Sequence, residues 1–384
     1  MAPERSGLDQ LAAQVMDPEL ELPLGELGML GPVRAKRRSA FVELRLPLED
    51  WPALDELTER VRGALLLAPG VEDVAVDVEV MTDDERRALR DRLRLEMAGE
   101  DGALDEGAHE GHGHADAAVP RFLAPSSSTR VIGISSGKGG VGKSSVTVNL
   151  ALTLQRAGHR VAVLDADVYG FSIPRMLGCE EDPVIIGDTV VPTRGHGVRC
   201  LSMGFFVPEN QPVIWRGPML HKAIEQFLGD AYWGEPDFML VDMPPGTGDV
   251  TLSLAQVMTR AEIVVVTTPQ PAAHTVAQRS AFAARKLKLS VRGVIENMSW
   301  FTGDDGHRYE LFGQGGGEVL AEELGVPLLG QIPLVPALRE GGDSGHPIVV
   351  DDPDGVAGAA FAALADRLVA LGPARVYRRE LTVR

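Results

Sequence analysis

Lysine, serine and aspartate occur in this chain with the types and spacing that handle a polyphosphate and its metal ion. The densest group is Val131 to Ser145, VIGISSGKGGVGKSS. Gly137, Gly142, Lys143 and Ser144 satisfy the G-x-x-x-x-G-K-[ST] phosphate-binding pattern. Backbone N–H groups turned inward around a triphosphate leave no room for side chains, which accounts for Gly137, Gly139, Gly140 and Gly142. The expected nucleotide-binding segment is therefore Gly137, Lys138, Gly139, Gly140, Val141, Gly142, Lys143, Ser144 and Ser145. Lys143 is suited to the β/γ-phosphates and the Ser144 hydroxyl to Mg²⁺. Val131 to Ile134 reads as the strand before the loop. Lys143 to Arg156 reads as the helix after it, its positive dipole end facing the same anion.

Three aspartates extend this chemistry. Asp165 and Asp167 close the apolar run Val161 to Leu164, at the strand end where open α/β sheets place their ligands. Asp167 suits either the positioning of an attacking water or the steadying of Mg²⁺; a plain helix-capping role is the alternative. Asp242 follows the apolar run Phe238 to Val241 and reads as a Walker B aspartate, holding the Mg²⁺ shell beside Ser144. Asn297 ends the strand-like Arg292 to Asn297, and its amide can pair donor and acceptor with an adenine edge. No N-K-x-D base-reading motif is present, which favours ATP over GTP.

GKGGVGKSS resembles the deviant phosphate loops of the MinD/ParA/Mrp class of P-loop ATPases. That resemblance implies a nucleotide-sandwiched homodimer in which Lys138 reaches the partner's phosphates. The run DMPPGTGD at Asp242 closely resembles Mrp proteins, and with ENMSWF at Glu296 the chain is similar to the Mrp (ApbC-type) iron–sulfur carrier ATPases over roughly Val131 to Val350. The resemblance implies slow Mg-dependent ATP hydrolysis, with Lys138 and Asp167 catalytic and Asp167 in the switch I role. It also implies transfer of iron–sulfur clusters to apo client proteins or assembly factors, with a [4Fe–4S] cluster bridging the dimer. Cluster-carrying members hold a C-x-x-C after this segment, whereas Phe301 to Phe312 here contains no cysteine.

Cys179 and Cys200 are the only thiols in the chain. Cys200 sits in the strand-like VRCLSM and is expected to be a buried apolar side chain. Cys179, at a helix end after Leu177-Gly178, is expected to be exposed. Weak or absent cluster binding through thiolates alone is the expectation, with His307 or a small-molecule thiol completing any shell that forms. A MinD/ParA-like positioning ATPase and a cluster-free ATPase scaffold or regulator stay open as alternatives.

The elements that must position these residues follow from pattern and length. The 384 residues suffice for a full α/β core and a second, smaller domain. A hydrophobic share of 44% and a charged share of 24% are those of a globular protein, and no apolar run approaches bilayer length. MAPERSGLDQ lacks a signal-peptide pattern, so a cytoplasmic location is expected. Two cysteines far apart in sequence exclude a disulfide framework. A net charge of −18 argues against nucleic-acid partners, and the tail ARVYRRELTVR is too short and too weakly amphipathic for a membrane anchor.

Residues 1–98 read as a small α/β domain. Its expected elements are a helix over Leu8 to Val15, strands over Val33 to Lys36 and Phe41 to Leu46, a helix over Pro52 to Ala68 and a strand over Val71 to Val80. With DPEL at Asp17 and LGML at Leu27, it resembles the small iron–sulfur-assembly-associated domain of many Mrp proteins. That domain's Cys-Pro step is here Trp51-Pro52, so a scaffold or partner-docking role is expected.

Residues 99–130 read as an acidic, then Pro- and Ser-rich linker in which His109, His112 and His114 are incidental or, alternatively, metal-binding. From 131 to 372, alternating strands and helices predict an α/β P-loop NTPase with a doubly wound, mainly parallel sheet, followed by a tail, 373–384. Within it, Val184 to Phe206 reads as a hairpin excursion, Gly217 to Leu228, Ala272 to Leu287 and Gly315 to Leu324 as helices, and Asp354 to Leu371 as the closing helix. Pro333 to Pro336 is expected beside the base.

Overall fold

The computed structural model describes residues 5–98, 121–124, 127–168, 170–207, 217–246, 252, 255–258 and 260–373. His109, His112, His114 and the basic tail lie outside them. The chain divides into two compact units, the first comprising Met1–Arg121, Val184–Val191 and Asp230–Gly234, the second the remainder.

The first unit holds helices α1 (Arg5–Ala13), α2 (Leu24–Leu27), α3 (Leu54–Leu66) and α4 (Asp83–Ala98) around strands β1 (Leu30–Lys36), β2 (Ser39–Leu46) and β3 (Asp73–Val80). β2 pairs antiparallel with β1 and parallel with β3. Helix α3 turns Leu57, Val61 and Leu65 fully inward, each worth about 1.5–3 kcal/mol on burial. Helix α4 escapes apolar periodicity because only Leu89 and Leu93 of its residues are buried. Its start is nevertheless written locally. Thr82 and Glu85 form a capping box, the Thr82 N–H donating to Glu85 at 2.9 Å and the Glu85 N–H to Thr82 Oγ1 at 3.3 Å.

Asp17 of the DPEL run is fully buried. It accepts the Glu19 and Leu20 N–H groups at 2.9 and 2.7 Å and the Trp51 indole N–H at 3.1 Å. Trp51 at the Cys-Pro position is thus part of the unit's core. Strands β6 (Val184–Ile186) and β7 (Thr189–Val191) form an antiparallel hairpin belonging to this unit.

The second unit is built on an eight-stranded sheet. Its strands are β4 (Arg130–Ser136), β5 (Val161–Asp165), β8 (Thr193–Gly195), β9 (Val198–Ser202), β10 (Phe238–Asp242), β11 (Glu262–Thr267), β12 (Ser290–Glu296) and β15 (Leu328–Gln331). In order β15-β12-β11-β4-β10-β5-β9-β8 all neighbours are parallel except the edge pair β8–β9. This corrects the reading of Val184 to Phe206 as a single excursion, since its second half completes the central sheet. Periodicity missed this because β9 is buried at every residue and shows no alternation.

Around the sheet lie α5 (Lys143–Arg156), α6 (Ile173–Met176), α7 (Gly217–Gly229), α8 (Pro271–Lys286), α9 (Gly316–Leu324), α10 (Pro336–Ser344), α11 (Ile348–Asp351) and α12 (Val356–Ala370). β4, β5, β10 and β11 are buried throughout, as parallel strands covered on both faces must be. Their shared direction brings the residues after β4, β5, β10 and β12 to one edge. Strand β4 runs on through α5 to β5 on one side, while its neighbour β11 runs on through α8 to β12 on the other, which opens a crevice between them at that edge. Among the described residues no helix is long and apolar enough to cross a membrane.

Candidate nucleotide site

The phosphate loop leaves β4 and re-enters the helical state at Lys143, with Gly142 at φ 77° as the N-terminal flank of α5. Its glycines answer to different demands. A Cβ at Gly137 would fall 2.2 Å from the Ala277 nitrogen of α8, and one at Gly142 2.3 Å from Asn297 Nδ2. Packing within the chain therefore requires both. Gly139 has an ordinary φ and, among the described residues, no atom within 4 Å of a built Cβ. No described residue demands glycine there, so the space over this exposed turn suits an incoming group.

Beneath the loop, donors converge on Asp242. Lys143 Nζ and Ser144 Oγ each donate to Asp242 Oδ2 at 2.6 Å, and Thr147 Oγ1 donates to Oδ1 at 2.8 Å. Lys143 Nζ also lies 3.4 Å from Asp167 Oδ2. Lys143 is 6% exposed, Asp242 0% and Asp167 9%, so the cluster is screened little by water.

Asp165 completes the carboxylates. It accepts the Asp167 N–H at 3.2 Å, the Ser202 hydroxyl at 3.0 Å and the Ile173 N–H at 3.4 Å. Burial first, then the charge of Asp242, pushes its carboxyl up to about 7. Asp242, by contrast, is met by one ammonium and two hydroxyls.

Three carboxyl groups facing one ammonium leave the pocket short of positive charge. Ser144, Asp242 and Asp167 supply hard oxygen donors, and Mg²⁺ characteristically takes one or two of these together with waters and substrate phosphates. The residues present fit that partial shell. Among the described residues there is no cluster of three or more His, Cys, Asp or Glu that makes a complete metal cage.

Lys138 is half-buried and donates to Gln270 Oε1 at 3.1 Å, away from the cluster of Lys143. Val141 is buried and Ser145 lies in the first turn of α5. Asn297, 3% exposed, uses Nδ2 to hold the Val141 carbonyl at 2.9 Å. The segment Thr247–Asp249 of DMPPGTGD lies outside the described residues. Pro333 to Pro336 runs beside Trp300, whose carbonyl accepts the Leu334 N–H at 2.7 Å.

Sequence reasoning missed Thr147, Ser202 and Gln270. Thr147 had a findable signal, one helical turn after Lys143 on the same face. Ser202, at the end of β9, and Gln270, the residue before α8, lie far from the loop in sequence and had none.

The cysteines correct an expectation. Cys179 is not a free surface residue: it is half-buried and packs on the same core of the second unit as Cys200, whose thiol is pushed up by burial first and by the neighbouring Cys179 thiol second. Cys200 is fully buried on β9, as read. Residues 300–312 form the small hairpin β13 (Phe301–Thr302) and β14 (Arg308–Tyr309). The Tyr309 hydroxyl donates to Asp305 at 2.6 Å and the Arg308 guanidinium lies 4.5 Å from the Trp300 ring centroid.

Comparison with known proteins agrees with this geometry. The ParA family model, described as NUBPL iron-transfer P-loop NTPase, matches residues 127–369. The iron-sulfur cluster carrier protein of Mycobacterium bovis is 44% identical over 362 residues, covering 92% of this chain and 90% of its own length. That of Synechocystis is 39% identical over 361 residues, covering 92% and 94%. Among solved structures, a nucleotide-binding protein from Archaeoglobus fulgidus in complex with ADP superposes with a TM-score of 0.52 at 32% identity, covering 61% of this chain and 93% of that one.

Proposed function

We propose, from the premise that this chain belongs to the NUBPL-type iron-transfer P-loop NTPases of the ParA family, that it is a slow Mg²⁺-dependent ATPase that carries iron–sulfur clusters to apo client proteins. One observation carries the ATPase reading. Lys143, Ser144 and Thr147 converge on the fully buried Asp242, beneath a loop whose Gly139 no contact among the described residues requires.

In this reading the loop N–H groups and Lys143 bind the phosphates, and Lys143 exchanges Asp242 for a phosphate oxygen. Ser144 and Asp242 would hold Mg²⁺, which supplies charge neutralisation on the phosphates. Asp167 orients the attacking water. Lys138 leaves Gln270 and crosses to the partner's phosphates in a homodimer. Asn297, already braced on the loop, faces the adenine. Catalysis is then positioning plus electrostatics, without covalent chemistry.

The domain assignment belongs to the same proposal: 1–98 a docking or scaffold domain, 99–130 a linker, 131–372 the ATPase apart from Val184–Val191 and Asp230–Gly234, which belong to the first unit, and 373–384 a tail. So do the cytoplasmic location, the absence of nucleic-acid and membrane partners, and a cluster held between subunits. The similarity to iron-sulfur cluster carrier proteins supports the cargo.

A cluster-free regulator is the second reading, favoured by the cysteine-free hairpin and by a thiol pair turned into the core. Anaerobic reconstitution with iron and sulfide, then exposure to an apo iron–sulfur acceptor, separates the two. Labile, substoichiometric iron that passes to the acceptor is expected, equal in wild type and in the Cys179→Ser, Cys200→Ser double variant. Negligible iron and no transfer, with ATP hydrolysis intact, would establish the regulator. No Mg-dependent hydrolysis would overturn the ATPase.

A further inference from the structure

The nucleotide chemistry leaves one pair of nucleophiles unused. Cys200 is in register with Val163 of β5 and Thr193 of β8, in the centre of the sheet's last strands. Cys179 arrives from the other direction. The turn of α6 ends there, the Cys179 N–H donating to the Pro174 carbonyl at 2.9 Å. The backbone before it is pressed against neighbouring loops. A Cβ at Gly195, on β8, would lie 2.2 Å from the Leu177 oxygen, and one at Gly178 would lie 2.5 Å from the Gly345 oxygen. These close approaches hold the turn against β8, beside β9, and Cys179 and Cys200 pack on the same core as neighbouring thiols.

The same two segments grip the site. Ser202, two residues after Cys200, donates to Asp165 Oδ2, and so does the Ile173 N–H, at the start of the turn that ends in Cys179. Asp167 lies between Asp165 and this turn. We propose that Cys179 and Cys200 are a redox-responsive pair, closing under a peroxide into an intramolecular disulfide that ties the segment after Asp167 to β9 and slows ATP turnover.

The roles of the two sulfurs differ by exposure. Cys179 is half-exposed and meets the oxidant first, whereas burial and the neighbouring thiol keep Cys200 protonated. The Cys179 sulfur takes one oxygen from hydrogen peroxide: an S–O bond forms, the O–O bond breaks and water leaves. The Cys200 sulfur then attacks the Cys179 sulfur. The S–S bond forms, the S–O bond breaks, and the departing hydroxide takes the Cys200 proton as a second water. Two thiols lose two electrons in all, and one peroxide becomes two waters. A dithiol reductant reverses the step by exchange.

Only the turnover readout rests on the ATPase reading; bond formation is read independently. The full-length reduced protein is treated with hydrogen peroxide, quenched, denatured and alkylated with N-ethylmaleimide, then weighed intact. A loss of both alkylation sites in a chain that stays monomeric on a non-reducing gel is expected, with a Cys179–Cys200 cross-linked peptide. Hydrogen exchange over residues 171–179 should slow at least about threefold. ATP turnover should fall at least about fivefold and recover with dithiothreitol. Cys179→Ser should retain basal turnover and lose the reversible response. Cys200→Ala serves as the second variant if serine at Cys200 disturbs the core. Two alkylated thiols after peroxide, disulfides only between chains, Cys179 oxidised to sulfinic acid with Cys200 free, or a formed bond with unchanged exchange would each overturn the proposal. A bond that forms and slows exchange while turnover stays constant would overturn the coupling. An inactive reduced protein that still forms the bond and slows exchange would sink the ATPase reading and support the pair.

Discussion

At the phosphate loop the charged side chains are answered by buried partners drawn from other elements, whereas the hairpin at Phe301–Tyr309 answers its own within a few residues. Asp242 collects donors from α5, and Asp165 collects one from β9 and one from α6. In the hairpin, Asp305 accepts the His307 N–H at 3.0 Å and the Tyr309 hydroxyl, while Tyr309 and Leu311 stay 44% and 60% exposed. Buried long-range networks fix geometry before a ligand arrives, because an unpaired charge there is costly. Exposed local bonds fix only a shape. The nucleotide end is thus preorganised for chemistry, and the hairpin is a surface feature free to vary in what it presents.

The contrast breaks most readily at Lys143. Lys143→Ala should weaken ATP binding by about 100-fold or more, since a buried charge facing the phosphates disappears. Circular dichroism controls for the uncompensated Asp242 left behind. A titration with fluorescent ATP that matches wild type would refute the phosphate-loop assignment.

Lys138 carries the next effect. Lys138→Ala should cost roughly 100-fold in turnover and only a few-fold in affinity, as a cation supplied across subunits does. Mixing it with Asp167→Ala subunits should restore part of the activity, because one composite site then has both residues. Unrestored mixtures, or a strictly monomeric protein at saturating ATP, would remove the trans role.

The third test reads Asp165 through pH. Its folded pKa of about 7 lies above the ordinary 3.8, so between those values the folded state binds more protons than the unfolded one. By linkage, this group's effect on stability is most favourable at low pH and is lost as pH rises through 7. The nucleotide-free protein should lose roughly a few degrees of Tm between pH 5 and 8 on this account. Asp165→Asn should flatten that slope; an unchanged slope would place the proton elsewhere.

The smallest effect belongs to the hairpin. Tyr309→Phe or Asp305→Ala should change stability by about 0.5 kcal/mol or less and ATP turnover less than about twofold. A tenfold loss of turnover in either would show that the hairpin belongs to the catalytic assembly and would erase the contrast.

The sequence by itself determined the order of strand, loop and helix around Lys143, the Walker B aspartate and the parallel α/β class. Short-range chemistry writes these: a glycine-dense loop, an apolar run and a carboxylate at its end. It also carried the start of α4, legible in Thr82 and Glu85 although the helix buries too few residues to show a period. Only the tertiary structure decided that β9 joins the central sheet, since a strand buried at every residue reads the same wherever it pairs. It alone set Gly137 against the backbone of α8 and Asn297 against the phosphate loop, contacts between residues more than a hundred positions apart. It alone made Cys179 and Cys200 neighbours on one core. Pairing across strands and packing of turns onto sheet edges depend on the whole chain's register, and no local pattern encodes which two distant side chains will meet.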